Sequence, residues 1–230
     1  MAISPVLIPS PFLGPAVWAP VASALRADFG VTAVVPAPPD PAPTSPAAVL
    51  AAIEKGLPDS DDLVLVPHSN AGLYVPAIVM TRPVRGAVFV DAVLPPARGD
   101  VPVAPARLRD MLRDHVGPDG TLPPWTRWWP EESVVRLFPD AETRARVEAE
   151  QARMPFEYLA ARVDLPDGWD AVSAGYLSFG DTYADEREDA RARGWPARRM
   201  LGDHLHMLRD PAGVAAGIME LATSFSRGSS

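Results

Sequence analysis

Residues 63 to 72 read Leu-Val-Leu-Val-Pro-His-Ser-Asn-Ala-Gly, and the rest of the chain is best read outward from them. Four apolar residues make a buried-strand pattern, Ser69 follows among small and turn-forming neighbours, and a helical pattern opens after it. A strand, a sharp turn and a helix in that order lift a serine hydroxyl above the end of a sheet. The backbone N–H groups that open the helix can then face a negative charge developing on an oxygen bound there.

The same alternation runs through much of the chain. Val-Leu-Ile at 6–8 predicts a first strand, and Val17, Trp18, Val21 and Leu25 repeat at helical spacing over 16–29. A second strand is expected at 31–35 and a helix at 46–55, then the strand before Ser69. A helix from Asn70 to about Met80 follows, with Pro76 expected to kink it. Gly-Ala-Val-Phe-Val-Asp at 86–91 is a fourth strand; 174–179 and 197–201 are the last two, with helices at 184–193 and 211–225. Short apolar strands alternating with helices imply an α/β class protein, its mostly parallel sheet of about six strands flanked by helices.

Between 95 and 170 the rhythm breaks into a stretch rich in Pro, Arg and Trp, with helical patches at 105–115, 133–138 and 141–154. The organisation expected is a core in two parts, 1–94 and 171–225, separated by a helical cap or lid insertion at 95–170 and followed by a flexible tail at 226–230. The Pro-rich stretch 36–46 reads as a rigid connecting loop.

Bulk properties narrow the function. A chain of 230 residues is long enough for one domain with a modest insertion. The formal net charge of −8 supplies no basic surface for a phosphate backbone, which argues against nucleic acid as a partner. No apolar run reaches the roughly 18 residues of a membrane span, and the start lacks the basic and apolar regions of a secretory signal, so a cytoplasmic location is the default expectation. The absence of cysteine removes disulfides, thiolate metal sites and a cysteine nucleophile together. No metal-ligand spacing, glycine-rich phosphate loop or dinucleotide fingerprint occurs, so no cofactor is implied. Oligomeric state is not encoded in any motif.

A serine hydroxyl is a weak nucleophile at neutral pH and needs an imidazole to take its proton, with a carboxylate to hold that imidazole. Of four histidines, His68 is expected to point elsewhere on the tight turn and His115 lies in the 95–170 stretch. His204 and His206 follow the last strand, where loops gather at the carboxyl edge of a parallel sheet. His204 is the expected base and His206 a pocket-wall or supporting residue.

Three elements resemble the α/β-hydrolase family: Pro67-His-Ser-Asn-Ala-Gly72 after a strand, Gly202-Asp-His-Leu-His-Met-Leu208 before Asp210-Pro211, and Pro9-Ser-Pro-Phe-Leu-Gly14 where that family has its oxyanion loop. The order serine, acid, histidine is also the family's. The match spans nearly the whole chain but starts at the family's third strand, which implies a compact core. Pro67 stands where the family usually has glycine. In the early loop Pro11 falls where an N–H should point at the oxyanion, so the resemblance implies Phe12 and Asn70 as donors instead. For the acid, Asp181 follows the strand after the insertion and ranks first. Asp91, at the end of the strand before it, is close behind, and Asp185 is third. The family's most frequent spacing, three residues after the glycine, gives Tyr183, which cannot serve as a carboxylate. Trp125, Trp128 and Trp129 could line an apolar pocket or pack the insertion onto the body.

The expected function is a serine hydrolase acting on an ester or thioester of an apolar small molecule, through Ser69, His204 and Asp181 or Asp91. The alternative is a lyase, eliminase or cyclase of the kind found in natural-product biosynthesis, which uses the same serine and histidine without an acyl-enzyme. A third reading is a non-catalytic ligand-binding protein of the same fold.

Overall fold

The computed structural model describes residues 3–38 and 42–225; the tail expected at 226–230 and part of the Pro-rich loop lie outside the described residues. Five strands, β1 (Ser4–Ile8), β2 (Leu63–Ser69), β3 (Val84–Ala92), β6 (Ala174–Phe179) and β7 (Ala197–Met200), form one sheet in the order β1-β2-β3-β6-β7, every neighbouring pair parallel. The two remaining strands, β4 (Gly99–Pro102) and β5 (Arg162–Leu165), make a separate antiparallel ribbon. Every residue of β2 is buried, as expected of a central parallel strand covered on both faces.

The sheet has five strands where about six were expected, because the 31–35 stretch contributes only one bridge, between Val34 and Val6 of the edge strand β1. Pro36 and Pro38 follow at once and have no N–H to extend a ladder.

Among the described residues eight α-helices accompany these strands: α1 (Ala19–Phe29), α2 (Pro46–Gly56), α3 (Val75–Thr81), α4 (Ala106–Leu112), α5 (Glu131–Val135), α6 (Ala141–Ala149), α7 (Ala184–Ala192) and α8 (Pro211–Thr223). Their starts are written in the sequence. Ser45 accepts from the Ala48 N–H ahead of Pro46, and Asp210 accepts from the Gly213 N–H ahead of Pro211. Side-chain alternation along β6 shows how the sheet is covered. Leu177 packs against Gly217 of α8 and Gly175 against Leu221, while Ser178, on the opposite face, receives a hydrogen bond from Arg187 of α7.

After Ser69 the chain makes a 3-10 turn (Asn70–Tyr74) before α3 begins. Pro76 was expected to kink a helix running from Asn70. It sits instead in the first turn of α3, where a missing N–H costs no intrahelical bond. The segment between β3 and β6 holds α4, α5 and α6 near the expected helical patches, together with the β4–β5 ribbon, which the sequence pattern did not suggest. Among the described residues no helix is long and apolar enough to cross a membrane.

Candidate active site

β2 ends at Ser69, whose backbone is held at φ 57° and ψ −128°. Only one other non-glycine residue among those described has positive φ: Asp91, near the end of the adjacent strand β3, at 41°. Such backbone costs on the order of 1–3 kcal/mol and persists only where surrounding structure over-determines it. At Ser69 the determinant is close packing. Gly72, three residues on, faces the carbonyl oxygen of Val93, and a Cβ there would overlap that oxygen. The Val93 N–H in turn donates to the Ser69 carbonyl at 3.0 Å. Pro67 fits within β2, paired in register with Ile8 of β1.

The Asp91 side chain is fully buried, with both carboxylate oxygens engaged. Oδ1 accepts the Phe179 N–H at 2.8 Å, and Oδ2 lies 2.7 Å from His204 Nδ1. A carboxylate on Nδ1 fixes the proton there and leaves Nε2 unprotonated, which is the tautomer a base requires. Tyr176 steadies the same strand end, its hydroxyl donating to the Ala92 carbonyl at 2.5 Å and accepting the Ala92 N–H at 3.1 Å.

The other candidate acids lie elsewhere. Asp181, ranked first from sequence, has a side chain 70% exposed and pairs with Arg199 at 3.0 Å. Asp185 is exposed in the first turn of α7. His204 is reached by a carboxylate from β3 and not from the loop after β6, where the position three residues after Gly180 is Tyr183. That phenol fills the space beside the histidine, its ring 5.6 Å from the His204 ring.

Tyr183 also meets the serine, with Ser69 Oγ and the Tyr183 hydroxyl 3.4 Å apart. Among the described residues this is the hydrogen-bond contact of Ser69 Oγ; none joins it to His204 in this conformation. Burial, with the Asp91 and Glu186 charges adding, pushes the Tyr183 phenol well above the ordinary tyrosine range, so it stays protonated. Burial also raises the Glu186 carboxyl.

His68 departs from expectation. Its ring does not point away from the site but stacks on His204, with centroids 4.6 Å apart and planes 29° apart, and its Nε2 donates to the His204 carbonyl at 3.0 Å. Burial, and after it the His204 charge, hold the His68 pKa well below the ordinary histidine value. A neutral ring therefore supports the loop that carries His204. His206 does not line the cavity; it packs on Phe179 at 5.4 Å and against Gly202.

Ser69, Asn70, Tyr183 and His204 open into a cavity of about 700 Å3. Its walls are mainly apolar: Leu73, Val103, Leu108 and Leu137, with Phe12 and all three of Trp125, Trp128 and Trp129, while Arg136, Glu186 and Asp203 supply charge. Trp125 approaches the His204 ring at 5.9 Å, and Trp128 packs on Phe12 at 5.1 Å while donating to the Pro123 carbonyl. All three tryptophans line the cavity, and Trp128 also packs the 95–170 segment onto the loop after β1 through Phe12. Two further contacts tie that segment down. Glu150 accepts the Ala16 N–H beside Gly14, and the buried hydroxyls of Tyr74 and Tyr158 bond to each other.

Two backbone donors were expected for an oxyanion. The Asn70 N–H opens the turn after Ser69, where the first N–H groups have no partner within the helix. The Asn70 side chain donates to the Val103 carbonyl at 2.8 Å. The Phe12 N–H is directed to Ser10 Oγ at a long 3.4 Å. Pro11 does not face the cavity; it lines a small separate cleft with Pro36 and Val49.

The sequence matches no protein-family model and no curated protein. Solved structures do match. An extracellular α/β-hydrolase from a Paenibacillus species, described as structurally and functionally homologous to tobacco salicylic acid binding protein 2, aligns with TM-score 0.72 and 19% identity over 95% of this chain and 98% of that one. A pyrethroid hydrolase from Sphingobium faniae aligns with TM-score 0.69 and 15% identity over 97% and 98%. Tomato methylketone synthase I, bound to 2-tridecanone, aligns with TM-score 0.64 and 15% identity over 98% and 100%. The chain has the α/β-hydrolase fold.

Proposed function

On that fold, we propose that the protein is a serine hydrolase acting on an ester or thioester of an apolar small molecule. The observation that carries the reading is the 2.7 Å contact of Asp91 with His204 Nδ1 in the wall of a largely apolar cavity that Ser69 also faces. Ser69 Oγ attacks the carbonyl carbon while His204 Nε2 takes its proton, and Asp91 holds the imidazole and stabilises its charged form. The Asn70 N–H, with that of Phe12 once it leaves Ser10, receives the oxyanion. His204 then returns the proton to the leaving oxygen or sulfur, and water releases the acyl group by the same steps. The structural neighbours named hydrolases support an enzyme of this kind, and the long-chain ketone of the tomato neighbour is the kind of ligand such a cavity suits.

The test is labelling and turnover together. A fluorophosphonate should modify Ser69 in folded protein, and Ser69→Ala should abolish hydrolysis of medium-chain esters. Full activity in Ser69→Ala would overturn the reading.

One observation favours a second reading. Ser69 Oγ rests against Tyr183 rather than His204, so the two hydroxyls could together hold a substrate oxygen while the His204–Asp91 pair abstracts a carbon-bound proton. Solvent deuterium uptake into an enolisable ketone, with no turnover of any ester, would select it.

A further inference from the structure

We propose that Tyr183 is a further catalytic residue, a hydrogen-bond donor to the leaving oxygen, and that it fits the site to esters of aliphatic alcohols. The inference rests on the serine hydrolase reading above. It starts from the placement of the phenol, whose hydroxyl lies 3.4 Å from Ser69 Oγ and whose ring lies 5.6 Å from that of His204 at 37°. Tyr183 also faces the cavity.

A leaving oxygen is bonded to the same carbon that Ser69 Oγ attacks. A donor this close to Oγ, on the side occupied by His204, therefore stands within hydrogen-bond reach of that oxygen. In the resting site the Tyr183 hydroxyl is spent on Ser69. Once Oγ bonds to the acyl carbon its proton has moved to His204 Nε2, and the phenol is free to turn its own hydrogen to the substrate.

In the collapse of the tetrahedral intermediate the bond between carbon and leaving oxygen breaks and its electron pair stays on that oxygen. His204 supplies the proton. Tyr183 keeps its own and donates a hydrogen bond while charge builds. That help matters in proportion to the charge: it is small for a nitrophenolate, which is stable as an anion, and large for an alkoxide. Because desolvation raises the pKa of this half-buried phenol, it is not ionised near neutral pH and remains a donor throughout the working range. Two neighbouring carboxylates do not replace it, since Asp91 is committed to Phe179 and His204, and an ionised Glu186 would only accept.

The experiment compares wild type with Tyr183→Phe on two esters of one medium-chain acid, the hexyl ester and the p-nitrophenyl ester, reading kcat/KM because it reports acylation. The expected result is a loss of roughly 10- to 100-fold on the hexyl ester and less than about threefold on the p-nitrophenyl ester. Fluorophosphonate labelling of Ser69 should keep its rate, since fluoride leaves without a proton. An equal loss on both esters with slower labelling would make Tyr183 a structural support and overturn the inference alone. So would unchanged rates on both, or faster rates on both, the latter marking a brake on Ser69. If wild type cleaves neither ester and the probe leaves Ser69 unmodified, the hydrolase reading fails and the inference falls with it.

Discussion

The two sides of the cavity are built in different ways. On the sheet side, at the ends of β2 and β3, polar groups have assigned partners and the backbone is held where it would not rest by itself. Asp91 uses both oxygens, His204 is fixed through Nδ1 and its own carbonyl, and Ser69 and Asp91 both carry positive φ. On the opposite side, residues 95–170 present mostly rings, aliphatic side chains and prolines, and few hydrogen bonds to the site. A reacting group must be placed to within fractions of an ångström, whereas an apolar wall needs only shape and approximate volume. Chemistry is therefore expected to reside on the sheet side and substrate choice on the other. Substitutions on the two sides should fail differently.

The largest effect is expected at Asp91→Asn. The Phe179 N–H would keep the amide oxygen turned toward it, so the amide NH2 would face His204 Nδ1. A donor there drives the imidazole proton to Nε2, the atom that must accept from Ser69. The expected loss in kcat is about 10³- to 10⁴-fold with the fold retained, read from steady-state kinetics and circular dichroism. The corresponding change at Asp181, to Asn, should leave kcat within about twofold, since that carboxylate pairs with Arg199 at the surface. Equal losses at the two positions would remove the basis for assigning Asp91 the role of acid.

Next in size is Gly72→Ala, a single methyl group with no polar function. Its Cβ has nowhere to go but into the Val93 carbonyl, which is itself part of the hydrogen-bonded brace on Ser69. Destabilisation on the order of 3 kcal/mol is expected, with loss of Ser69 labelling in whatever protein still folds. Urea unfolding of the variant measures it. A stability within 0.5 kcal/mol or so of wild type would show that the turn relaxes freely and that Ser69 is not strained by packing.

How much of this contrast the chain discloses differs between its two halves. Ser69 and His204 stand out because a parallel strand followed by small residues, and a histidine loop before a capped last helix, are local patterns. The paired acid is not local. Whether Asp91 or Asp181 reaches His204 depends on which strand end comes closer in space, and the one local hint was a tyrosine at the position where a carboxylate would serve. The same reason explains His68: a sequence neighbour of Ser69 reads as pointing away, yet its ring stacks on a residue 136 positions later. The sixth strand failed because a short Val-rich run looks alike whether it ladders or bridges once. The β4–β5 ribbon was hidden because Gly-Asp-Val-Pro and Arg-Val-Asp-Leu are too short to show an alternating pattern.

On the apolar side, Trp129→Ala tests the division of labour from the other direction. Trp129 is half-buried and lines the cavity, so its removal should weaken binding of the apolar part of a substrate in ground state and transition state alike. KM is expected to rise roughly tenfold with kcat within about twofold, and the rise should be smaller for short-chain esters than for long-chain ones. A fall in kcat with unchanged KM would place the ring in the chemistry instead, and the division between the two sides would not hold.

The smallest effect is expected at His68, which carries the sheet side's dependence on pH. Buried and stacked on His204, it is held neutral in the folded protein well below the pH at which an unfolded histidine, with a pKa near 6.5, takes up a proton. As pH falls below about 6.5, the unfolded chain gains a proton at this position that the folded chain refuses. Stability is therefore complete above that pH and declines below it, by a slope approaching 1.4 kcal/mol per pH unit. Glu186 works in the opposite sense, because its raised pKa lets the folded protein accept a proton before the unfolded chain does. The window that reads His68 brackets the unfolded histidine value, from about pH 7.5 to about pH 5.5. Urea unfolding across that window should show wild type losing on the order of 1 kcal/mol, and His68→Gln should show a flatter profile, since glutamine can still donate to the His204 carbonyl but cannot titrate. Parallel profiles for the two proteins would mean that the decline arises elsewhere and that His68 is not kept neutral by the fold. A neutral ring behind His204 also suits the chemistry, because the imidazolium formed when Ser69 gives up its proton then has Asp91 on one side and no second positive charge stacked against it.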